Sequence, residues 1–386
     1  MPSDTDLPPP LHRPRAFVPD LLRRDISPPR STCRALADAQ EAAGRLDAAI
    51  ARLTLRDEFV RLTGKLEARH SADLDGVLTA TNEALAGDLP GSVTPDVDER
   101  LHGYQNCGRQ AVETIRTGRP WDDILLRRLS ATLAGNPGAE MPWREQAEWL
   151  GDRHQPDGLL LMPPGQELRE LTAQWCQWMN SESDLLRVAK IAVAMVQLIL
   201  IHPVSGTGHI ARLIPTLELM RAEILHEPVL PIAGWLWRHG RGYLEALRGV
   251  VHRGELDAWM LFVANAIRAA CLGHLDLIAR LEQVCDDMLS AVSRKTAIVT
   301  LVEALITRPI INLQEIAAIC DVSSSHAPAL ARQLHKAGLA TIMNPRTLEG
   351  QPEDSSHGKV VVATSIVRLL GVYQPDPSDR DRAVLA

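Results

Sequence analysis

At 386 residues, with 45% hydrophobic and 23% charged residues, the chain is long enough for two or three domains around a sizeable core. Aromatic residues make up only 4%, so Leu, Ala and Val must fill that core, which favours packed helices over strands. A net charge of −7 argues against a surface coated for nucleic acid.

In chain order, residues 1–30 are rich in Pro and Arg and read as an extended tail without the apolar core of a signal peptide. Residues 31–118 read as helical. Leu36, Ala39, Ala43, Leu46, Ile50 and Leu53 recur at helical spacing, and further helices are expected over Asp57–His70 and Asp73–Leu85. The junction between those two helices, Ser71-Ala72-Asp73-Leu74-Asp75-Gly76, has the composition of a helix start. Residues 119–291 hold the most apolar segments, Leu185 to Ile201 and Leu213 to Leu225, and a long helix from Ala258 to about Val292. The longest apolar run, Ile191 to Ile201, contains Gln197 and falls short of the roughly 20 residues that span a bilayer, so a cytoplasmic protein without membrane partners is expected.

Residues 292–372 change character. A helix carrying Ile298, Leu301, Val302 and Leu305 is stopped by Pro309. Two short helices follow on either side of a turn at Asp321, and Thr341–Met343 and Val360–Val362 read as strands. Asp321 stands where such a turn usually needs Gly, and Asp tolerates those backbone angles better than most residues. Residues 373–386 are a polar tail. The six cysteines (Cys33, Cys107, Cys176, Cys271, Cys285, Cys320) form no CxxC pair; they read as reduced thiols, and no metal site is expected from them.

The most informative stretch is His202-Pro203-Val204-Ser205-Gly206-Thr207-Gly208-His209-Ile210-Ala211-Arg212, placed between two apolar helical runs. Gly206 and Gly208 let backbone N–H groups turn toward one point, and the following helix aims the positive end of its dipole there. That is a seat for a phosphate, with His202 as a candidate base and Arg212 as a candidate cation. The stretch resembles the loop of the Fic (Fido-fold) family, written HPFx(D/E)GNGRxxR, in its His-Pro opening and its GxGxxxR tail. Three further segments are similar to the family: Arg144 through Trp149 to Gly151, followed by Pro163-Pro164; Ser71 to Gly76; and Arg253-Gly254-Glu255 to Trp259.

The resemblance implies a mostly α fold, a Fic-type helical bundle with a β-hairpin flap, followed by a winged helix-turn-helix. It implies AMP transfer from ATP to a Ser, Thr or Tyr hydroxyl of a protein held at the flap. By that resemblance His202 is the catalytic base, and Ser205, Gly206, Thr207, Gly208, His209 and Arg212 hold the nucleotide. Ser71, Asp75 and Gly76 match an inhibitory helix motif, with Asp75 in place of the usual Glu as the partner of Arg212. In the winged helix, DNA contacts would fall to Ser324, His326, Arg332, Gln333 and Lys336, with phosphates met by Arg308 or Arg346.

The loop also departs from the family. It is one residue short, and no Asp or Glu stands between Pro203 and Gly206, which argues against a Mg²⁺ or Mn²⁺ site because a hydroxyl such as Ser205 offers far less charge. Thr207 replaces Asn, His209 replaces the first Arg, Val204 replaces Phe, and Ile199 stands where many relatives have Glu. Transfer is therefore expected to be weak or conditional. The rival expectations are a catalytically silent regulator that binds DNA through residues 292–372, and a nucleotide-sensing interaction protein; a homodimer is left open.

Overall fold

The computed structural model describes residues 16–20, 22, 26–78, 81–86, 95–150, 159–161, 163–292, 295–343 and 359–371. The expected polar tail over 373–386, most of the expected N-terminal tail, the expected flap tip and wing, and Arg346 lie outside the described residues.

The body is a helical bundle. Helix α1 (Arg30–Ile50) buries Leu36, Ala39, Ala43, Leu46 and Ile50 on one face, as its three- and four-residue spacing requires. Helix α2 spans Arg56–Leu74, followed by α3 (Thr81–Ala86), α4 (Pro95–Arg116) and α5 (Asp123–Leu133). Here the structure corrects the sequence reading. The expected break near Ser71 does not exist, because nothing between Arg56 and Leu74 stops a helix, and α2 ends only as the chain reaches Gly76 at φ +80°. Ser71 thus sits in the last turn of α2 and caps nothing. Helix α5 does begin on a side-chain cap, with Asp122 accepting the N–H of Leu125.

Two-residue strands β1 (Trp149–Leu150) and β2 (Leu159–Leu160) pair antiparallel and form the root of the expected flap. Helix α6 (Gln166–Asn180) leads to the pair that positions the site, α7 (Arg187–Ile201) and α8 (Thr207–Arg221). Every residue of α7 from Val188 to Ile201 is buried, so the one apolar face read from the sequence is in fact an all-round burial at the centre of the bundle. The two polar residues between Val188 and Ile201 are satisfied: Lys190 Nζ donates to the carbonyls of Met179 and Ser181, and Gln197 Nε2 donates to Asp20 O. Helices α9 (Ile232–Arg238), α10 (Gly240–Arg253) and α11 (Leu256–Ser290) complete the body. Trp175 and Trp259 are core residues whose indole N–H groups donate to Ala194 O and Ala192 O on α7. Among the described helices α11 alone is long and apolar enough to cross a bilayer, and it packs here against α1, α7, α9 and α10.

The C-terminal segment runs α12 (Thr296–Thr307), β3 (Ile310–Asn312), α13 (Leu313–Ile319), α14 (Ala327–Lys336), β4 (Thr341–Met343), β5 (Val360–Val362) and α15 (Thr364–Gly371). Strand β5 lies between β3 and β4, both antiparallel to it, with Val361 opposite Ile311 on one side and Ile342 on the other. Strand β3 was not read from the sequence; it is three residues long and runs directly into α13. A full capping box starts α13: Asn312 accepts the Glu315 N–H and Glu315 accepts the Asn312 N–H. Asp321 adopts φ +49° in the turn before α14. The segment is not a separate core. Its apolar residues join those of the bundle in one cluster, and α12, β3 and α15 rest on α2, α3 and α11.

Candidate functional site

Helix α7 ends on His202, whose left-handed backbone (φ +48°, ψ +61°) turns the chain sharply into the loop. The loop is held from three directions. Arg144 donates from its backbone N–H to Pro203 O at 3.0 Å and from Nε to His202 O at 2.9 Å. Ser130 Oγ donates to Ser205 O at 2.6 Å, and Thr207 Oγ1 donates back to Val204 O within the loop. Gly206 then adopts φ +74° as α8 begins, and a Cβ there would collide with the Leu133 side chain. Only Gly meets both demands.

The first turn of α8 opens onto a cavity of about 590 Å³, lined by His202, Ser205, Gly206, Gly208 and Arg212 together with the first flap residues. The opening N–H groups of a helix lack partners within it, so this wall is electropositive. Arg212 is 4% exposed in its side chain, and its Nε and Nη2 are held from the C-terminal end of α2. Its Nε donates to Ser71 Oγ at 2.7 Å, while Nη2 donates to Ser71 O at 3.0 Å and to Asp75 Oδ2 at 2.6 Å. Burial alone would lower the guanidinium, but the charge and hydrogen bond of Asp75 outweigh it and raise it above its ordinary value. Tyr104 adds a second donor to Asp75, O–H to Oδ2 at 2.8 Å; burial, and then the Asp75 charge, push that phenol up.

Two residues given to the nucleotide by sequence do not line the cavity. Thr207 is buried and its hydroxyl closes the loop on Val204. His209 is 2% exposed, shares a hydrogen bond with Ser71 Oγ at 2.7 Å and meets Tyr104 edge to face at 4.7 Å. Burial, and then the charge of Arg212, hold its imidazole down to about 3, so it is neutral and cannot stand in for an arginine. Ser71 and Asp75, by contrast, both contact Arg212 from the C-terminal end of α2, and Gly76 follows them in the turn that ends the helix.

Sequence reasoning missed Glu148, one residue before β1. Its Oε2 lies 2.9 Å from His202 Nε2, and both residues line the cavity. Burial would raise this carboxyl, but the hydrogen bond and charge of His202 and the charge of Arg144 outweigh it and leave it below the usual range. The signal for it was the four-residue step from Arg144, which also donates Nη1 to Gln146 O. As for a metal, no group of three His, Cys, Asp or Glu side chains that could hold one exists among the described residues. The loop itself has no carboxylate between Pro203 and Gly206 to offer a divalent cation.

On the C-terminal segment, Ser324, His326, Arg332 and Lys336 are exposed on or just before α14, and Gln333 is half-buried. Pro328 falls in the first turn of α14, where a missing N–H costs nothing. Arg308 is exposed at the end of α12.

No family model matches the chain. Among solved structures, a Fic family protein from Desulfovibrio desulfuricans G20 is similar at 15% identity and TM-score 0.56, over 89% of this chain and 98% of that one. A fragment of Fic-1 from C. elegans is similar at 16% identity and TM-score 0.46, over 64% of this chain and 71% of that one. The chain therefore has the fold of Fic proteins.

Proposed function

We propose that this chain binds ATP at the α7–α8 loop and transfers AMP to a hydroxyl of another protein, slowly while α2 holds Arg212. The observation that carries this reading is the joint geometry of His202, Gly206, Gly208 and Arg212 around one cavity at a helix N-terminus, on this fold. The α-phosphate would rest on the first turn of α8, with Gly208 allowing close approach. His202 would take the proton of the attacking hydroxyl, the new O–P bond would form as the bond from the α-phosphorus to the leaving oxygen breaks, and pyrophosphate would leave toward Arg212. No step is assigned to a metal, since the loop has no carboxylate between Pro203 and Gly206 to offer one. The test is label transfer from ATP labelled at the α-phosphate into proteins of a cell extract. Labelling that is present with Asp75→Gly and lost with His202→Ala supports transfer; no label with either protein refutes it.

A second reading is DNA binding through residues 292–372. It is favoured by the strand order β3-β5-β4 around a helix-turn-helix, which is the layout of a winged helix, and by the exposed Ser324, His326, Arg332 and Lys336. Retardation of duplex DNA that weakens steeply with salt and with Arg332→Ala would support it; none near physiological salt would count against it.

A further inference from the structure

We infer that Glu148 is an internal cap on His202, occupying the one imidazole nitrogen that an incoming hydroxyl can reach. The inference rests on the reading of His202 as the base. Nδ1 of His202 is buried and has no hydrogen-bond partner among the described residues, so Nε2 alone faces the cavity. With a carboxylate oxygen at 2.9 Å, Nε2 carries a hydrogen and offers no lone pair. A base must present that lone pair to the proton it takes.

The arrangement differs from a carboxylate that orients a catalytic histidine. Such a carboxylate sits on the nitrogen away from the substrate and leaves the near one free. Here the far nitrogen is the orphan and the near one is covered. The cap and the base are also tied at the backbone. Arg144 joins the loop to the flap root through His202 O, Pro203 O and Gln146 O, and Glu148 O accepts the Leu161 N–H across the hairpin at 2.9 Å. The Glu148 side chain is nevertheless 38% exposed, so a change of rotamer uncovers Nε2 without undoing the Arg144 clamp. This cap is separate from the Asp75–Arg212 pair. One covers the base and the other holds the cation.

The test reads the nitrogen directly and does not need transfer. The full chain is treated with diethyl pyrocarbonate, which acylates an unprotonated imidazole nitrogen, and modification at His202 is followed by peptide mapping. His226, 72% exposed in its side chain, serves as the reference. Relative to wild type, Glu148→Ala and Glu148→Gln are expected to label at His202 roughly tenfold faster, the lower end for a charge-assisted contact that is partly in solvent. Equal rates in all three proteins would overturn the cap. Transfer from ATP is then measured on the same proteins. Faster transfer in Glu148→Ala supports the cap, and lost transfer in a folded Glu148→Ala overturns it. Faster labelling with no transfer in any protein upholds the cap and removes the transferase reading instead.

Discussion

Asp75 and Arg212 meet at 2.6 Å, 137 residues apart in sequence, and join the C-terminal end of α2 to the first turns of α8. The guanidinium is the more buried partner, so removing the carboxylate leaves a charge whose remaining hydrogen bonds, among the described residues, go to Ser71. Asp75→Ala should lower stability by about 3 kcal/mol. Ser71→Ala, which removes a hydroxyl and leaves the ion pair, should cost only about 1 kcal/mol. Urea denaturation of both variants checks the order.

Gly206 and Gly208 should respond differently to the same substitution. Gly206→Ala forces a left-handed backbone and a contact with Leu133, and should cost about 1–2 kcal/mol. Gly208 lies inside α8, where Ala is the better helix former by about 1 kcal/mol. Its Cβ would stand 3.2 Å from Arg212 Nη1 and 3.6 Å from Asp75 Oδ1, narrowing the phosphate seat. Gly208→Ala should therefore keep or raise the melting temperature while weakening ATP binding; denaturation and calorimetry on one preparation separate the two effects.

Burial holds His70 and His209 down to about 3 and His274 down to about 4 in the folded protein, against 6.5 when free. The unfolded chain thus binds more protons below 6.5, and stability falls as pH drops from 6.5 toward 4, by about 1.4 kcal/mol per pH unit for each histidine. Glu67 acts in the opposite direction. Burial pushes it up to about 8 despite the Ala233 N–H at 2.8 Å, so the folded state holds the extra proton and stability declines as pH rises from 4.5 to 8. Urea midpoints should peak near pH 6.5, and Glu67→Gln should flatten the alkaline side.

The helical body, the His202–Arg212 loop and the strand pair β4 and β5 were legible because each rests on short-range pattern: apolar spacing, paired glycines, a stop at Pro309. What was not legible depended on distant residues meeting. Tyr104 on Asp75 and Glu148 on His202 have no local signature beyond an Arg four residues ahead of Glu148. The fate of Ser71 turned on whether α2 stops before or after it. Its acidic neighbours Asp73 and Asp75 suited a helix start equally well, and only the helix's continuation to Leu74 decides it. His209 was read as a nucleotide contact replacing the first Arg, but it is buried against Ser71 of α2 and Tyr104, a pairing of distant residues that no local pattern announces.

The most direct measurement is calorimetric ATP binding to wild type, Asp75→Gly and the double variant Asp75→Gly/Arg212→Ala. If Arg212 is a phosphate cation kept engaged by α2, Asp75→Gly binds about tenfold more tightly than wild type, and the double variant loses that gain. Equal affinity in all three proteins would contradict the account, because neither the carboxylate nor the guanidinium would then bear on the nucleotide.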